Sequence, residues 1–348
     1  MAPGEIVSRT SLKSRTFSAS PLKTATSSPQ HRDIVFVTFI CSKDVHYAKA
    51  LLGSIRHFYP DRLIHAVLDN DVPVADEDQM RRFPNVHIHH VDNLIQEHKL
   101  DLRGLLAKLN VFFLPEVSAA LVADADSILT GPILENIDLH CELNSLNSET
   151  LDLENAVERA IFNRWAIDLQ SLNSKKSLRL PTPCKFVQGS HFYVNVSTFP
   201  KSLLYTLLPD MTHTHTATHL LRAGDQGFWN YVANFDTRLG ILAKQTPVTL
   251  QVGGATHRAE YDTIAHIERK SSKDFYFIHY VGFSRRFLRQ RHEYSAALTW
   301  GTRLYYEAVG RTEFIPDEIR RTLRVISRTA LGGLRLLLKP FVKQLASE

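Results

Sequence analysis

The sequence predicts an α/β fold with a doubly wound sheet, on three observations. Between Asp33 and Val91, strand-like and helix-like patterns alternate as β, α, β, α, β. The stretch Ala119 to Ile133 opens as a small, apolar run, the pattern of a strand buried on both faces, and breaks off in two carboxylates, Asp124 and Asp126. Strand patterning then returns twice, around Phe186 and from Asp274 to Tyr280. With 348 residues, 44% of them hydrophobic, the chain can bury a large core as one big domain or as one domain with appendages.

Residues 1–32 are rich in Ser, Thr, Lys and Pro and carry a net charge of +4. They hold too little apolar surface to offset the entropy of ordering, and are expected to be a disordered basic tail. An organelle transit peptide has a similar composition and stays open as a reading; the apolar core of a secretory signal is missing. The first strand, Asp33 to Ile40, is β-branched and aromatic. From Asp44 to Tyr59 the apolar positions Ala48, Leu51, Leu52, Ile55 and Tyr59 recur at helical spacing, with Ser42 or Asp44 able to cap the start. Leu63 to Leu68 is a second strand, Asp76 to Phe83 a short helix and Val86 to Val91 a third strand.

Arg103 to Phe113 reads as a helix carrying Lys108, just before the Asp-x-Asp strand. Residues 140–185 read as a helical excursion of mixed polarity that covers the site, with Leu153 to Leu169 partly periodic. Strand pattern resumes from Phe186 to Val196, where Gly189 and Ser190 allow close backbone approach. A helix over Phe199 to Leu208 leads to His213, His215 and His219, whose spacing matches no zinc signature and fits a polar loop better. His87, His89 and His90 are expected as partly exposed strand positions. Gly224-Asp225-Gln226-Gly227 opens an aromatic helix, in which Asp225 can be a cap or a functional carboxylate.

Chemistry is expected at the carboxyl ends of the strands, where open α/β sheets place their ligands. Two hard oxygen ligands at i and i+2 suit a divalent cation that also grips a phosphate, although an Asp-x-Asp triplet also decorates solvated loops. His279, ending an apolar strand and followed by Gly282, Arg285, Arg286, Arg289 and Arg291, suits a metal ligand beside a polyphosphate or else a core histidine with a solvated arginine face. After the first strand the chain runs Thr-Phe-Ile-Cys-Ser-Lys rather than Gly-x-Gly-x-x-Gly, which counts against a dinucleotide dehydrogenase.

Taken in order, these motifs resemble the nucleotide-sugar glycosyltransferases of family 8, the group that includes glycogenin and bacterial lipopolysaccharide glycosyltransferases. The resemblance covers roughly residues 33–290. Phe36-Val37-Thr38-Phe39 and Tyr47 take the places of that family's first strand and following tyrosine, with Gly53-Ser54 in the next helix. Lys108 falls on its lysine before the metal strand, and Asp124-Ala125-Asp126 with Leu129 to Ile133 on its Asp-Ala-Asp segment. Gly224 to Asn230 matches Gly-Asp-Gln-Gly-x-x-Asn, and His279 to Phe287 stands for His-Phe-x-Gly-x-x-Lys-Pro-Trp, closing instead on Arg285-Arg286-Phe287. Gly189-Ser190-His191 replaces the family's Asn-Ala/Ser-Gly.

The resemblance implies a GT-A fold: a Rossmann-like mixed sheet flanked by helices, here with a C-terminal helical extension. It divides the chain into the tail 1–32, a catalytic domain 33–300 and a basic amphipathic segment 301–348. It further implies a metal-dependent hexosyltransferase acting on a UDP-sugar with retention of configuration, its acceptor a glycan, a lipid-linked glycan or a protein. Asp124, Asp126 and His279 would hold Mn(II) or Mg(II); Thr38, Tyr47, Lys108, Ala123, Asp124, Ala125, Gly282 and Arg285 would bind the donor; Asp225 and Gln226 would line the catalytic face. The alternatives are a non-catalytic nucleotide-sugar binding protein, favoured by the departure at Gly189-Ser190-His191, and a nucleotidyltransferase, which would want a Gly-rich phosphate loop that is missing.

The formal charge of +5 sits at the ends: residues 318–348 carry +5, leaving −4 for the middle, so no nucleic-acid partner is expected. Three scattered cysteines, Cys41, Cys141 and Cys184, suggest no disulfide framework and fit a reducing, cytoplasmic setting. In the segment 318–345, apolar side chains lie among seven basic ones with no run of the ~18 apolar residues that span a bilayer. Peripheral contact with an anionic membrane and a helix packed on the domain are both open readings of it.

Overall fold

The computed structural model describes residues 30–146, 148–174, 179–211, 220–235, 241–243, 249–251, 276–280 and 296–310. Strand β1 (Ile34–Ile40), helix α1 (Val45–Phe58), β2 (Ile64–Leu68), α2 (Val74–Arg81) and β3 (Val86–His90) form the expected alternating unit. Helix α3 (Val91–His98) follows β3 directly, and Gly104–Phe113, expected as an α-helix, is a 3-10 helix. Then come β4 (Ala119–Asp124) and the short β5 (Ser127–Leu129).

The excursion over 140–185 is only partly helical. It contains β6 (Leu143–Ser145) and β7 (Ser148–Leu151), then α4 (Ala156–Trp165) and α5 (Leu169–Ser174), before β8 (Cys184–Val187). The strand expected from Phe186 is broken at Gly189-Ser190, so that β8 and β9 (His191–Asn195) belong to different sheets. Helices α6 (Lys201–Leu207) and α7 (Asp225–Phe235), strands β10 (Ile241–Ala243), β11 (Thr249–Gln251) and β12 (Phe277–His279), and helix α8 (Ala296–Val309) complete the described chain.

The large sheet has the order β10-β6-β9-β4-β1-β2-β3. Strands β4, β1, β2 and β3 run parallel, and β9 lies antiparallel to both β4 and β6. A three-stranded sheet, β11-β12-β5, carries β12 antiparallel to β5, and β7 pairs with β8. Side chains alternate across the large sheet with period two. Phe36, Ile64, Ala66 and Leu121 pack on one face with α1 and α8, while Val37, Val67, Ala120 and Val122 pack on the other with the 3-10 helix and α7. Both faces are covered, which explains why β4 reads as a continuous apolar run rather than an alternating one and why every residue of β2, His65 included, is buried.

Helix α8 lies against α1 so closely that a Cβ on Gly53 would stand 2.2 Å from the Gly301 carbonyl oxygen. The adjoining Ser54 hydroxyl donates to the Leu51 carbonyl (2.8 Å) and accepts the Leu129 N–H (3.0 Å), fastening β5 to α1. Among the described residues no helix is long and apolar enough to cross a membrane. Residues 1–29, His213, His215, His219, Gly282, Arg285 and the segment 318–345 lie outside the described residues.

Candidate active site

Two backbone registers build the site. Ala120 and Val122 face the 3-10 helix, so Asp124, two residues further along β4, faces the same side, where Lys108 stands. The chain then turns at Ala125 and enters β5, whose Ser127 is the register partner of His279 on β12, and the Tyr280 N–H donates to the Asp126 carbonyl (2.9 Å). Residues 155 positions apart in the chain are thereby placed side by side. His279 Nε2 lies 3.3 Å from Asp124 Oδ2 and 3.2 Å from Asp126 Oδ1, and one ligand atom from each of the three residues falls within 4.8 Å of the others.

Lys108 completes the charge pattern. Its ammonium donates to the Gly189 carbonyl (2.5 Å), lies 2.6 Å from Asp124 Oδ1 and reaches to 3.8 Å from Asp225 Oδ2. Burial works against its charge, but Asp124 and then Asp225 more than offset this and hold it protonated above the ordinary lysine range. Burial likewise opposes ionisation of Asp124, yet Lys108 and then His279 keep its carboxyl well below the usual carboxylate range. For His279, burial disfavours the imidazolium, while Asp126 and Asp124 favour it more strongly and push it up to about 9. Asp225 goes the other way: burial, reinforced by Asp124 and opposed by Lys108, raises it to about 6.

The glycines of the Gly224 to Gly227 segment have separate causes. Gly224 has φ +62°, and a Cβ there would lie 2.4 Å from the Leu105 carbonyl oxygen, so α7 starts in contact with the 3-10 helix that carries Lys108. A Cβ on Gly227 would meet the Arg222 carbonyl oxygen at 2.3 Å. Further along α7, Asn230 accepts from the Val187 N–H (2.9 Å) and donates to the Val187 carbonyl (2.7 Å), and Asn234 does the same at Lys185 (2.9 and 2.8 Å). These two amides, one helical turn apart, satisfy an edge of β8 as a neighbouring strand would.

A cleft of about 750 Å³ opens over this cluster and is lined by Phe39, Lys43, Asp69, Asp71 and Trp165 besides the charged residues already described. Ala125 lines it too; Ala123 is buried one strand position behind Asp124, and Gln226 is half-buried in the first turn of α7. Thr38 neighbours Phe39 but points to the opposite face of the sheet, and Tyr47 packs its ring 5.5 Å from that of Tyr280; neither lines the cleft. Sequence reasoning did not single out Asp71, whose carboxylate accepts from the Ser42 N–H (2.8 Å) and hydroxyl (2.5 Å), or Trp165. The Asp69-Asn70-Asp71 ending of β2 was the available signal for the first. Trp165 reaches the cleft only through the packing of α4.

No protein-family model matches the chain, and no curated protein matches it in sequence. Among solved structures, the bifunctional glycosyltransferase WbbM in its apo form superposes with a TM-score of 0.51 at 13% identity, over 86% of this chain and 53% of that one. Its fold is therefore shared. The chain has a GT-A glycosyltransferase fold. The galactosyltransferase LgtC, solved with donor and acceptor sugar analogues, aligns at 13% identity over 80% of this chain and 97% of its own, with a TM-score of 0.48. Mouse xyloside xylosyltransferase 1 aligns at 10% identity over 71% and 97% respectively, with a TM-score of 0.46.

The donor set of the cluster fits a divalent cation. Two carboxylates and one imidazole converge with their ligand atoms close enough together to share one ion, and hard oxygen and nitrogen ligands of this kind suit it.

Proposed function

We propose that this chain is a metal-dependent glycosyltransferase that moves a hexosyl group from a UDP-sugar to a glycan, lipid-linked or protein acceptor with retention of configuration. The observation that carries this reading is the convergence of Asp124, Asp126 and His279 in a cleft where carboxylates outnumber cationic groups among the described lining residues. Among the described lining residues, the carboxylates Asp44, Asp69, Asp71, Asp124, Asp126 and Asp225 face Lys43, Lys108 and the imidazolium of His279. A diphosphate would be repelled from such a surface. A divalent cation resolves the conflict, and this supports Mn(II) or Mg(II) as the cofactor.

Bound there, the ion would supply Lewis-acid neutralisation of the leaving nucleoside diphosphate, an effect on the order of several kcal/mol. The protein's own residues do the positioning. Asp124 is held ionised by Lys108 and His279, and the strand registers place Asp126 beside it, while Arg285 and Gly282 are proposed to engage the diphosphate from the chain after β12. Lys108, held protonated beside Asp124 and Asp225, would help neutralise charge on the departing diphosphate. Asp225, at the N-terminus of α7 and in contact with Lys108, is proposed to orient the transferred sugar and stabilise positive character at its anomeric carbon, with Gln226 beside it.

The test is release of UDP from UDP-glucose, UDP-galactose and their N-acetyl forms with and without Mn(II). The wild-type chain is expected to hydrolyse or transfer at least one donor only when the metal is present, and Asp126→Asn is expected to lose that activity by about 100-fold or more with an unchanged fold. Undiminished, metal-independent turnover in Asp126→Asn would remove the metal assignment. Tight UDP-sugar binding with no turnover under any acceptor would instead favour the non-catalytic binding protein suggested by Gly189-Ser190-His191.

A further inference from the structure

Asp124 and Asp126 are two residues apart in the chain, yet they belong to different sheets. Asp124 ends β4 in the seven-stranded sheet, and Asp126 precedes β5 in the three-stranded one that also carries His279. The geometry of the cluster therefore depends on how the two sheets are fixed to each other. His191, the first residue of β9 and fully buried, stands at that junction.

Its Nε2 is 2.8 Å from Ser127 Oγ and its Nδ1 is 3.1 Å from Ser190 Oγ. Each serine adjoins one of the carboxylates. Ser127 follows Asp126 and is the register partner of His279, and the Ser190 carbonyl accepts the Asp124 N–H (3.0 Å). The ring stacks on Phe277 at 4.2 Å and 24°, and meets the ring of His279 edge-on at 5.3 Å and 89°. A neutral imidazole has one N–H and one lone pair, and a hydroxyl can donate or accept, so both bonds are satisfied together in either tautomer. No aliphatic or phenyl side chain could do this, because it would leave two buried hydroxyls without the partner the imidazole gives them.

We infer that His191 is a positioning residue of the Asp124–Asp126–His279 cluster, tying together the two sheets that carry its carboxylates and buttressing the imidazole of His279. The inference rests on the metal reading given above, and goes beyond it by assigning a role to a side chain that touches neither the cleft nor the reacting atoms. Folding does not depend on this link alone. The β4–β9 and β5–β12 ladders and the Ser54 bond to Leu129 remain when the imidazole is replaced. Loss of His191 should therefore be felt in the ion's affinity before it is felt in stability. Residues of this kind behind metal ligands typically change affinity by about 10- to 100-fold.

The experiment measures Mn(II) binding to the full chain without nucleotide, by electron paramagnetic resonance of the free ion, together with thermal unfolding of the metal-free protein. Wild type, Asp126→Asn, His191→Phe and His191→Gln are compared. His191→Phe keeps the stacked ring and removes both hydrogen bonds; it is expected to weaken Mn(II) binding by about 10- to 100-fold, with an unfolding midpoint near that of wild type. His191→Gln, which restores one donor and one acceptor, is expected to stay within about threefold of wild type. Wild-type affinity in His191→Phe, alongside lost binding in Asp126→Asn, would overturn the inference and leave the metal reading standing. Equal weakening by the two His191 variants with a lowered midpoint would also overturn it, since packing alone would then explain the effect. Should His191→Phe fail to fold, Ser127→Ala removes one arm of the link and must weaken Mn(II) binding, or the inference falls. A wild-type chain that binds no Mn(II) would sink the metal reading and this inference with it.

Discussion

Lys108 is shared between two carboxylates and a backbone carbonyl, and this division makes Asp124 and Asp225 chemically unlike. Asp124 lies 2.6 Å from the ammonium and stays ionised; Asp225 lies 3.8 Å from it, more weakly compensated for its burial, and is raised to about 6. In the proposed reading the first holds the cation and the second lines the sugar face. Asp225→Ala is accordingly expected to leave UDP affinity within about threefold while cutting transfer by about 100-fold or more, as removal of a group felt mainly in the transition state does. Isothermal titration with UDP and initial-rate assays separate the two, and a parallel loss of both would contradict the role. At this scale much of the cluster was legible in the sequence, because Asp124 and His279 end strands, Asp126 follows in the turn after Asp124, and Asp225 starts a helix. His191 read only as a departure from a family pattern. Its partner Ser127 is 64 residues away in the chain, so nothing local signalled their bond.

Among the secondary-structure elements, those of the first β-α-β-α-β unit were legible and the short strands of the 140–185 excursion were not. Strands β1 and β2 are rich in β-branched and apolar residues and helix α1 shows its apolar period, whereas β6 and β7 have three or four residues each and, with the start of β8, lie in a stretch that reads as mixed helix. β8 is completed by the amides of Asn230 and Asn234, a tertiary arrangement that no local pattern announces. The histidines of β2 and β3 give an element-scale expectation. His65 is buried, its Nδ1 is 2.8 Å from His89 Nε2, and burial with the nearby His89 and His87 lowers it to about 3. In the unfolded chain His65 returns to the ordinary value near 6.5, so its full contribution to stability is present above that pH and is lost as the pH falls from there toward 3, by up to ~1.4 kcal/mol per unit. Denaturant unfolding at pH 7 and pH 5 should therefore show a steeper loss for wild type than for His65→Gln, by about 1–2 kcal/mol. Equal losses would show that His65 does not titrate in this way.

For the whole molecule, the governing fact is that a large, mostly parallel sheet and a small one meet where their strand ends carry opposite halves of one charged cluster. The sequence's charge layout agrees with this: basic residues concentrate at the two ends, leaving −4 for the middle, and the cleft is acidic. In the proposed reading, a nucleoside diphosphate would enter such a cleft together with a cation. The most direct measurement is therefore the anomalous difference map of a crystal grown with Mn(II) and UDP. A single strong peak bonded to oxygens of Asp124 and Asp126 and to His279 Nε2 is the expected result. A peak elsewhere, or UDP bound in the cleft with no ion at these three residues, would contradict it.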